Sequence, residues 1–298
     1  MDIQNPADYW ENRLKKNYGL DGTGFIGLGI SYNRWMYKIR RQVVIREVRS
    51  LGVDCTNASI LDVGSGTGFY LEIWKELGCK KLSGVDITST AIENLRIKYP
   101  QYEFLRADIG YNLDKSYDLF TTKYDLISSV DVLFHIVEDE QYGRAFKNIY
   151  DLLRPGGFFI FSENFLHVDS IRTPYQTSRS LHEIEGILRE TGFKILKRIP
   201  FFVLMNNPVD TNSHLLRIHW KLTTSCIRKG ANLGYIIGAF LYPIESILIR
   251  LFKEGPSTEL MICKKEEDDS IGMDRNHSDA KKEGGLLRTY SKISSVFS

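Results

Sequence analysis

Between residues 59 and about 200 the chain alternates short apolar runs with amphipathic ones. SILDVG (59–64), KLSGVD (81–86), YEFLRAD (102–108), YDLISSV (124–130) and GFFIFSE (157–163) are each of strand length and rich in Ile, Val, Leu and Phe. Such near-continuous apolar runs suit strands buried on both faces. Helical patterns lie between them. Thr88 caps TSTAIENLRIKY before Pro100, and EDEQYGRAFKNIYDLLR opens on acids and stops at Pro155, Gly156 and Gly157. Strand and helix in turn predict an α/β fold, a doubly wound parallel sheet with ligands at the carboxyl ends of its strands.

FKILKRI (193–199) reads as a sixth strand and STELMIC (257–263) as the last. The chain between them, about 201–256, is an insertion too long for a structureless loop. Its second half carries Leu233, Ile236, Ile237, Phe240, Leu241, Ile244, Ile247, Leu248, Leu251 and Phe252 at steps of three and four. That is one apolar face of a long helix, kinked or broken at Pro243. Two readings stay open for it. One is a cap over the substrate pocket; the other is peripheral membrane contact near 230–252, beside Arg217, Lys221, Arg228 and Lys229. Residues 1–58 form an aromatic, basic leader with helical spacing from Ser31 to Ser50, and 264–298 read as a disordered tail.

Composition narrows the classes. The 298 residues carry 39 Lys plus Arg against 37 Asp plus Glu, a net charge of +2, so charge gives no reason to expect a nucleic-acid partner. Four cysteines stand singly, with no metal-ligand spacing, and indicate neither a disulfide framework nor a metal site. The acidic, aromatic start lacks a signal-peptide pattern. A cytoplasmic protein, peripheral to the membrane in the second reading of the insertion, is the expectation.

The most informative run is ILDVGSGTGFYLEIW, where a strand ending in Asp62 meets Gly64, Ser65, Gly66 and Gly68 before a helix begins. Glycines let a backbone turn and approach a ligand, and helix-start N–H groups are free to bind it. A dinucleotide fingerprint is GxGxxG; this is GxGxG, preceded by an acid that would repel a pyrophosphate and suit a cationic amine. Asp86, followed by Ile87, ends the second run about twenty residues on, where a carboxylate can accept ribose hydroxyls. Asp108, between Ala107 and Ile109, follows the third, within reach of an adenine amino group. A bare tight turn and ordinary helix caps are the alternatives for each feature taken singly; three acids at three successive strand ends are not explained that way.

These motifs, in this order, resemble those of the class I S-adenosylmethionine-dependent methyltransferases, over about residues 55–200 and the last strand. The resemblance implies a Rossmann-like seven-stranded sheet, mostly parallel with an antiparallel last strand, with the insertion as a helical cap. It implies S-adenosylmethionine as cofactor, with the loop glycines at the methionine moiety, Asp62 near its amine, Asp86 at the ribose, Ala107 to Ile109 around adenine, and Ser129 and Val130 on the sulfonium side. DYWENRLKKNYGLDGTGFIG is similar to the aromatic-arginine segment that precedes the fold in many small-molecule members, so Tyr9, Trp10 and Arg13 are cofactor-covering candidates; a solvent-facing amphipathic helix is the alternative. Leu14 stands where that pattern often has an aromatic.

His135, in DVLFHI, is the candidate catalytic base, because a neutral imidazole can take a proton from a hydroxyl as it is methylated. Packing or hydrogen-bonding support is the other role open to it, and Asp131 is the candidate to orient it or face substrate. The family's D/N-PPY/F and Pro-Cys signatures are absent. That directs the expectation to an acceptor oxygen, and less to carbon or nitrogen, on a small molecule, sugar or glycan- or lipid-linked substrate. The rivals are a non-catalytic scaffold of the same fold and a nicotinamide-dependent oxidoreductase.

Overall fold

The computed structural model describes residues 5–266. The leader folds as helices α1 (Pro6–Lys16), α2 (Leu20–Thr23) and α3 (Gly29–Ser50). Asn5 caps α1 by accepting from the Ala7 N–H at 3.0 Å, with Pro6 at the first helical position, where its missing N–H costs nothing. Then follow β1 (Ser59–Val63), α4 (Phe69–Glu76), β2 (Lys81–Asp86), α5 (Ser89–Lys98), β3 (Glu103–Arg106), β4 (Tyr124–Ser129), α6 (Asp139–Leu152) and β5 (Leu153–Glu163). A small hairpin, β6 (Ile171–Thr173) and β7 (Gln176–Ser178), precedes α7 (Leu181–Thr191) and β8 (Phe193–Pro200). The insertion supplies α8 (His214–Ile227) and α9 (Ala231–Leu251), and β9 (Glu259–Lys265) ends the described chain.

All seven expected strands are present in one sheet of order β3-β2-β1-β4-β5-β9-β8. The first five run parallel, while β9 is antiparallel to both β5 and β8. Strand order reverses between β1 and β4, the switch point at which ligands bind in such sheets. One buried cluster, including Ile39, Val43, Trp74 and Ile160, joins α3 and α4 to the sheet; another, with Phe146, Ile149, Phe159 and Phe161, lies under α6. The Thr88 cap is present, its hydroxyl accepting from the Ala91 N–H at 3.3 Å. The hairpin β6–β7 had no signature in the hydrophobic pattern, since its strands are three residues each.

The insertion is helical, and α9 continues across Pro243 rather than breaking there. Its inner stripe, Gly234, Gly238, Leu241, Glu245 and Ile249, is buried. Gly238 permits the close approach to α3: a Cβ there would lie 2.3 Å from Cδ1 of Trp35. Glu245 is fully buried and accepts the backbone N–H groups of Val203 and Leu204, the latter at 2.9 Å, which ties the loop after β8 to α9. No residue of the insertion lines the cavity at the switch point. Helix α9 instead packs on α3, which forms part of the cavity wall through Tyr37, and α8 packs on α9. The expected tail lies outside the described residues except at its start, where β9 runs on to Lys265.

Candidate active site

A cavity of about 330 Å³ opens at the carboxyl ends of β1, β2 and β4, within the usual range for ligand pockets. Gly64, Ser65 and Gly66 line it, as do Asp86, Ile87, Ala107, Asp108, Ile109, Val130, Asp131, His135 and Trp10. The glycine turn is dictated locally. Gly64 sits at φ +76°, and a Cβ there would lie 2.3 Å from Cγ2 of Val132. The leader closes over this turn: the Tyr18 hydroxyl donates to the Gly66 carbonyl at 3.1 Å, and Glu11 accepts from Thr90 Oγ1 at 2.8 Å.

Asp86 is buried and already engaged. Its Oδ2 accepts the Gly66 N–H at 2.8 Å, and its Oδ1 accepts both the N–H (2.9 Å) and hydroxyl (2.7 Å) of Thr88. Burial raises its pKa against those three hydrogen bonds. Asp108 is held through its Oδ1 by the Gly110 N–H at 2.8 Å, and burial raises it too.

Asp62, Gly68, Ser129, Tyr9 and Arg13 do not line the cavity. Asp62 lies behind it: Trp74 Nε1 donates to Ser128 Oγ at 3.3 Å, and Ser128 Oγ to Asp62 Oδ1 at 2.6 Å. Its Oδ2 is buried without a partner, and burial pushes the carboxyl up to about 7. Asp62 meets the cavity wall through Ser65, whose hydroxyl donates to the Asp62 carbonyl at 2.9 Å. Gly68 turns the chain into α4 in the left-handed region and packs against Leu95 and Tyr99. Ser129 is buried at the end of β4 with an unpartnered hydroxyl. Tyr9 and Arg13 act on neighbours: the Arg13 guanidinium lies 4.6 Å from the Trp10 ring and donates to the Gly24 carbonyl and to the Tyr9 hydroxyl. Tyr9 stacks on Tyr175 at 5.5 Å.

His135 lies edge-on to Trp10, ring centroids 4.8 Å apart, and its Nδ1 meets the Tyr175 carbonyl at 2.9 Å. A carbonyl only accepts, so Nδ1 carries the hydrogen and the lone pair of the neutral ring falls on Nε2. Burial lowers the pKa to about 4. The orienting partner is therefore Tyr175 rather than Asp131. Asp131 has its own commitments: Arg40 Nε donates to its Oδ2 at 2.7 Å, and Ser162 Oγ to its Oδ1 at 3.2 Å. Its backbone sits at φ +61°, a conformation that Asp tolerates better than most residues, and its N–H donates to Ser162 Oγ at 2.7 Å. An ion-paired carboxylate in that position is a fixed wall of the site, not a free base.

Several lining residues carried no signal in the sequence, among them Thr23, Tyr37, Phe69, Tyr70 and Gln141. Tyr37 and Tyr70 reach the cavity from helices α3 and α4. The Tyr70 hydroxyl is buried with no partner, an orphaned polar group on the wall of the cavity.

The glycine turn, a ribose-side acid at the end of β2, an adenine-side acid after β3 and the switch-point cavity are the features the chain shares with the class I S-adenosylmethionine-dependent methyltransferases. Residues 60–157 match the family described as "Methyltransferase domain". The chain is 26% identical over 224 residues to the tRNA N(3)-methylcytidine methyltransferase trm140 of Schizosaccharomyces pombe, covering 65% of this chain and 66% of that protein. It is 22% identical over 194 residues to the malonyl-[acyl-carrier protein] O-methyltransferase of Hamiltonella defensa, covering 62% and 70%. The chain spans between 39% and 70% of the length of the curated relatives it matches. Among solved structures, the N-methyltransferase NodS of Bradyrhizobium japonicum, in complex with S-adenosyl-L-homocysteine, aligns with a TM-score of 0.51 at 16% identity, covering 89% of this chain and all of that one. That alignment bears on the fold.

S-adenosylmethionine is the family's cofactor, and the residues fit it. The cavity runs from the glycine turn past Asp86 to Asp108, the Asp62 carboxylate keeps an oxygen without a partner behind Ser65, and carboxylates stand where hydroxyl and amino donors need acceptors.

Proposed function

We propose that the chain transfers a methyl group from S-adenosylmethionine to an oxygen of a small-molecule, sugar or lipid-linked acceptor. The observation that carries the oxygen assignment is His135: it lines the cavity as a neutral imidazole with Nδ1–H held by a carbonyl and Nε2 left as the acceptor. When bound, the cofactor supplies an electrophilic methyl on a sulfonium centre. The glycine turn, Asp86 and Asp108 would hold it. Trp10 and Leu14 cover the cavity and exclude water, which strengthens every polar contact inside. His135 Nε2 accepts the hydroxyl proton as the oxygen loses it, and the Tyr175 carbonyl steadies the imidazolium that forms. With a pKa near 4 the ring stays unprotonated at neutral pH, and it is a weak base whose proton transfer accompanies methyl transfer rather than preceding it.

The named substrates of the relatives include tRNA and an acyl carrier protein. The near-neutral charge gives no nucleic-acid footprint to favour the former. Incubation with methyl-labelled cofactor and separate polar, lipid, RNA and protein fractions of a cell extract tests the proposal. Label on an oxygen of a small or lipid-linked molecule is expected. Label in RNA or protein, or on nitrogen, overturns the acceptor assignment. His135→Ala should abolish most transfer while leaving binding of S-adenosyl-L-homocysteine intact; undiminished transfer removes the base role.

A further inference from the structure

Helix α9 has two apolar stripes. The inner one is buried on α3. The outer one, Leu233, Ile236, Phe240, Ile244, Ile247 and Leu251, advances by three, four, four, three and four residues, and these side chains are 36–71% exposed. A surface helix of a globular protein normally turns polar residues outward, and six large apolar side chains in line are a contiguous patch of the kind that marks an interaction site. At 1.5 Å per residue the stripe is about 27 Å long. Helix α8 adds Leu215, Ile218 and Leu222, which are also exposed.

The exposed charges carried along α8 and α9 have one sign. From His214 to Lys253 the only acid is Glu245, which is buried against backbone N–H groups, whereas Lys221, Arg228, Lys229, Arg250 and Lys253 are exposed. Among the described residues, none of these five cations forms an ion pair with a carboxylate. Arg228 and Lys229 precede the stripe, Arg250 stands beside its last residue and Lys253 follows it. On the inner side Lys38 lies 3.9 Å from the Trp35 ring, which is tilted against Tyr235 and Tyr242 at 5.4 Å each. Aromatics with polar tips and cations at the margins of an apolar strip suit a bilayer interface.

We infer that the outer face of α9 docks on a membrane surface containing anionic lipid, with the stripe entering the acyl boundary and the flanking cations at the headgroups. The length and apolarity of α9 also satisfy the requirement for crossing a bilayer, but its inner stripe and Glu245 are committed to the protein, so it lies along the surface. A second copy of the chain fits less well. Pairing α9 with itself, in either direction, sets cationic ends against cationic ends with no acid between them. The inference holds whatever the methyl acceptor is.

Flotation of the full chain with lipid vesicles tests it. The chain should float with vesicles in which phosphatidylglycerol replaces part of the phosphatidylcholine, less with pure phosphatidylcholine, and less again as salt screens the cations. The double variant Phe240→Asp, Ile247→Asp should cut the bound fraction at least tenfold. Lys229→Glu with Lys253→Glu should abolish the preference for anionic vesicles, and this pair keeps the apolar stripe intact. Both variants alter exposed positions, so unchanged thermal unfolding is expected of them. Failure of the unaltered chain to float with anionic vesicles overturns the inference, as does flotation insensitive to both variants. Lipid-free self-association that the Phe240→Asp, Ile247→Asp variant dissolves, without flotation of the unaltered chain, assigns the face to a second copy instead.

Discussion

Asp86 shows how much a single position can reveal and how much it withholds. A carboxylate at the end of the second strand of a doubly wound sheet is legible as a ribose acceptor from spacing alone. What spacing omits is that Gly66 and Thr88 already use three of its roughly four acceptor positions. A ribose diol therefore meets one open site on Oδ2, and a two-hydroxyl grip requires Thr88 Oγ1 to turn away. Asp86→Ala removes the acceptor and strands the donors of Gly66 and Thr88. Binding of S-adenosyl-L-homocysteine should weaken by about 1.5–3 kcal/mol, the range for hydrogen bonds to a charged group, measured by calorimetric titration. Unchanged affinity would show that the acid serves the turn only. Asp62 and Ser129 show the reverse: strand-end position placed them correctly in sequence, but side-chain direction put them behind the cavity wall.

Among the elements, α3 carries the most connections. Its leader position and arginines read as a basic, exposed helix, yet Tyr32, Met36, Ile39 and Val43 are buried, Tyr37 lines the cavity and Trp35 receives α9. The α3–α9 contact depends on Gly238, and Gly238→Ala forces a Cβ into Trp35. Overpacking of this kind costs about 1–3 kcal/mol, so the variant should melt at a lower temperature in a thermal unfolding experiment. Gly143→Ala is the matched control. That glycine sits inside α6 with nothing within 4 Å of a Cβ, so the change should be neutral or stabilising by up to about 1 kcal/mol. Equal loss in both would disprove the packing argument. The periodicity of α9 was visible in the sequence, but its two apolar stripes were not separable there, because which of them is covered depends on α3.

At the scale of the whole molecule, burial of acids gives stability a pH dependence. Burial pushes Asp62, Glu245 and Glu259 up to about 7 and Glu163 to about 8. Their native pKa values lie above the unfolded ones, so the contribution is full below about pH 4 and is lost as pH rises through 7 to 8. His135 has the opposite sign: with a native pKa near 4, it withdraws stability as pH falls from about 6.5 toward 4 and is silent above that window. The melting temperature should therefore fall between about pH 6.5 and pH 9. Glu163→Gln keeps an acceptor for the Tyr142 hydroxyl, 3.0 Å away in the parent, and removes one titration, so it should flatten that decline. A variant that tracks the parent across the range would show that Glu163 does not titrate as its burial implies.

The strand pattern, the glycine turn and the acids at strand ends were determined by the sequence itself, because backbone geometry fixes where a strand ends and which residues follow it. Those local rules extend to the parallel sheet; the antiparallel last strand and the cofactor came from the resemblance of the motifs to a known family. Tertiary structure alone decided the remainder. Tyr175 reaches His135 across 40 residues, Arg40 reaches Asp131 across 91, and Tyr37 and Tyr70 enter the cavity from α3 and α4. Such contacts are set by how elements pack, and no spacing along the chain encodes them. The same holds for the insertion: its helix was legible, whereas its place on α3, away from the cavity and with one apolar stripe left uncovered, came only from the fold.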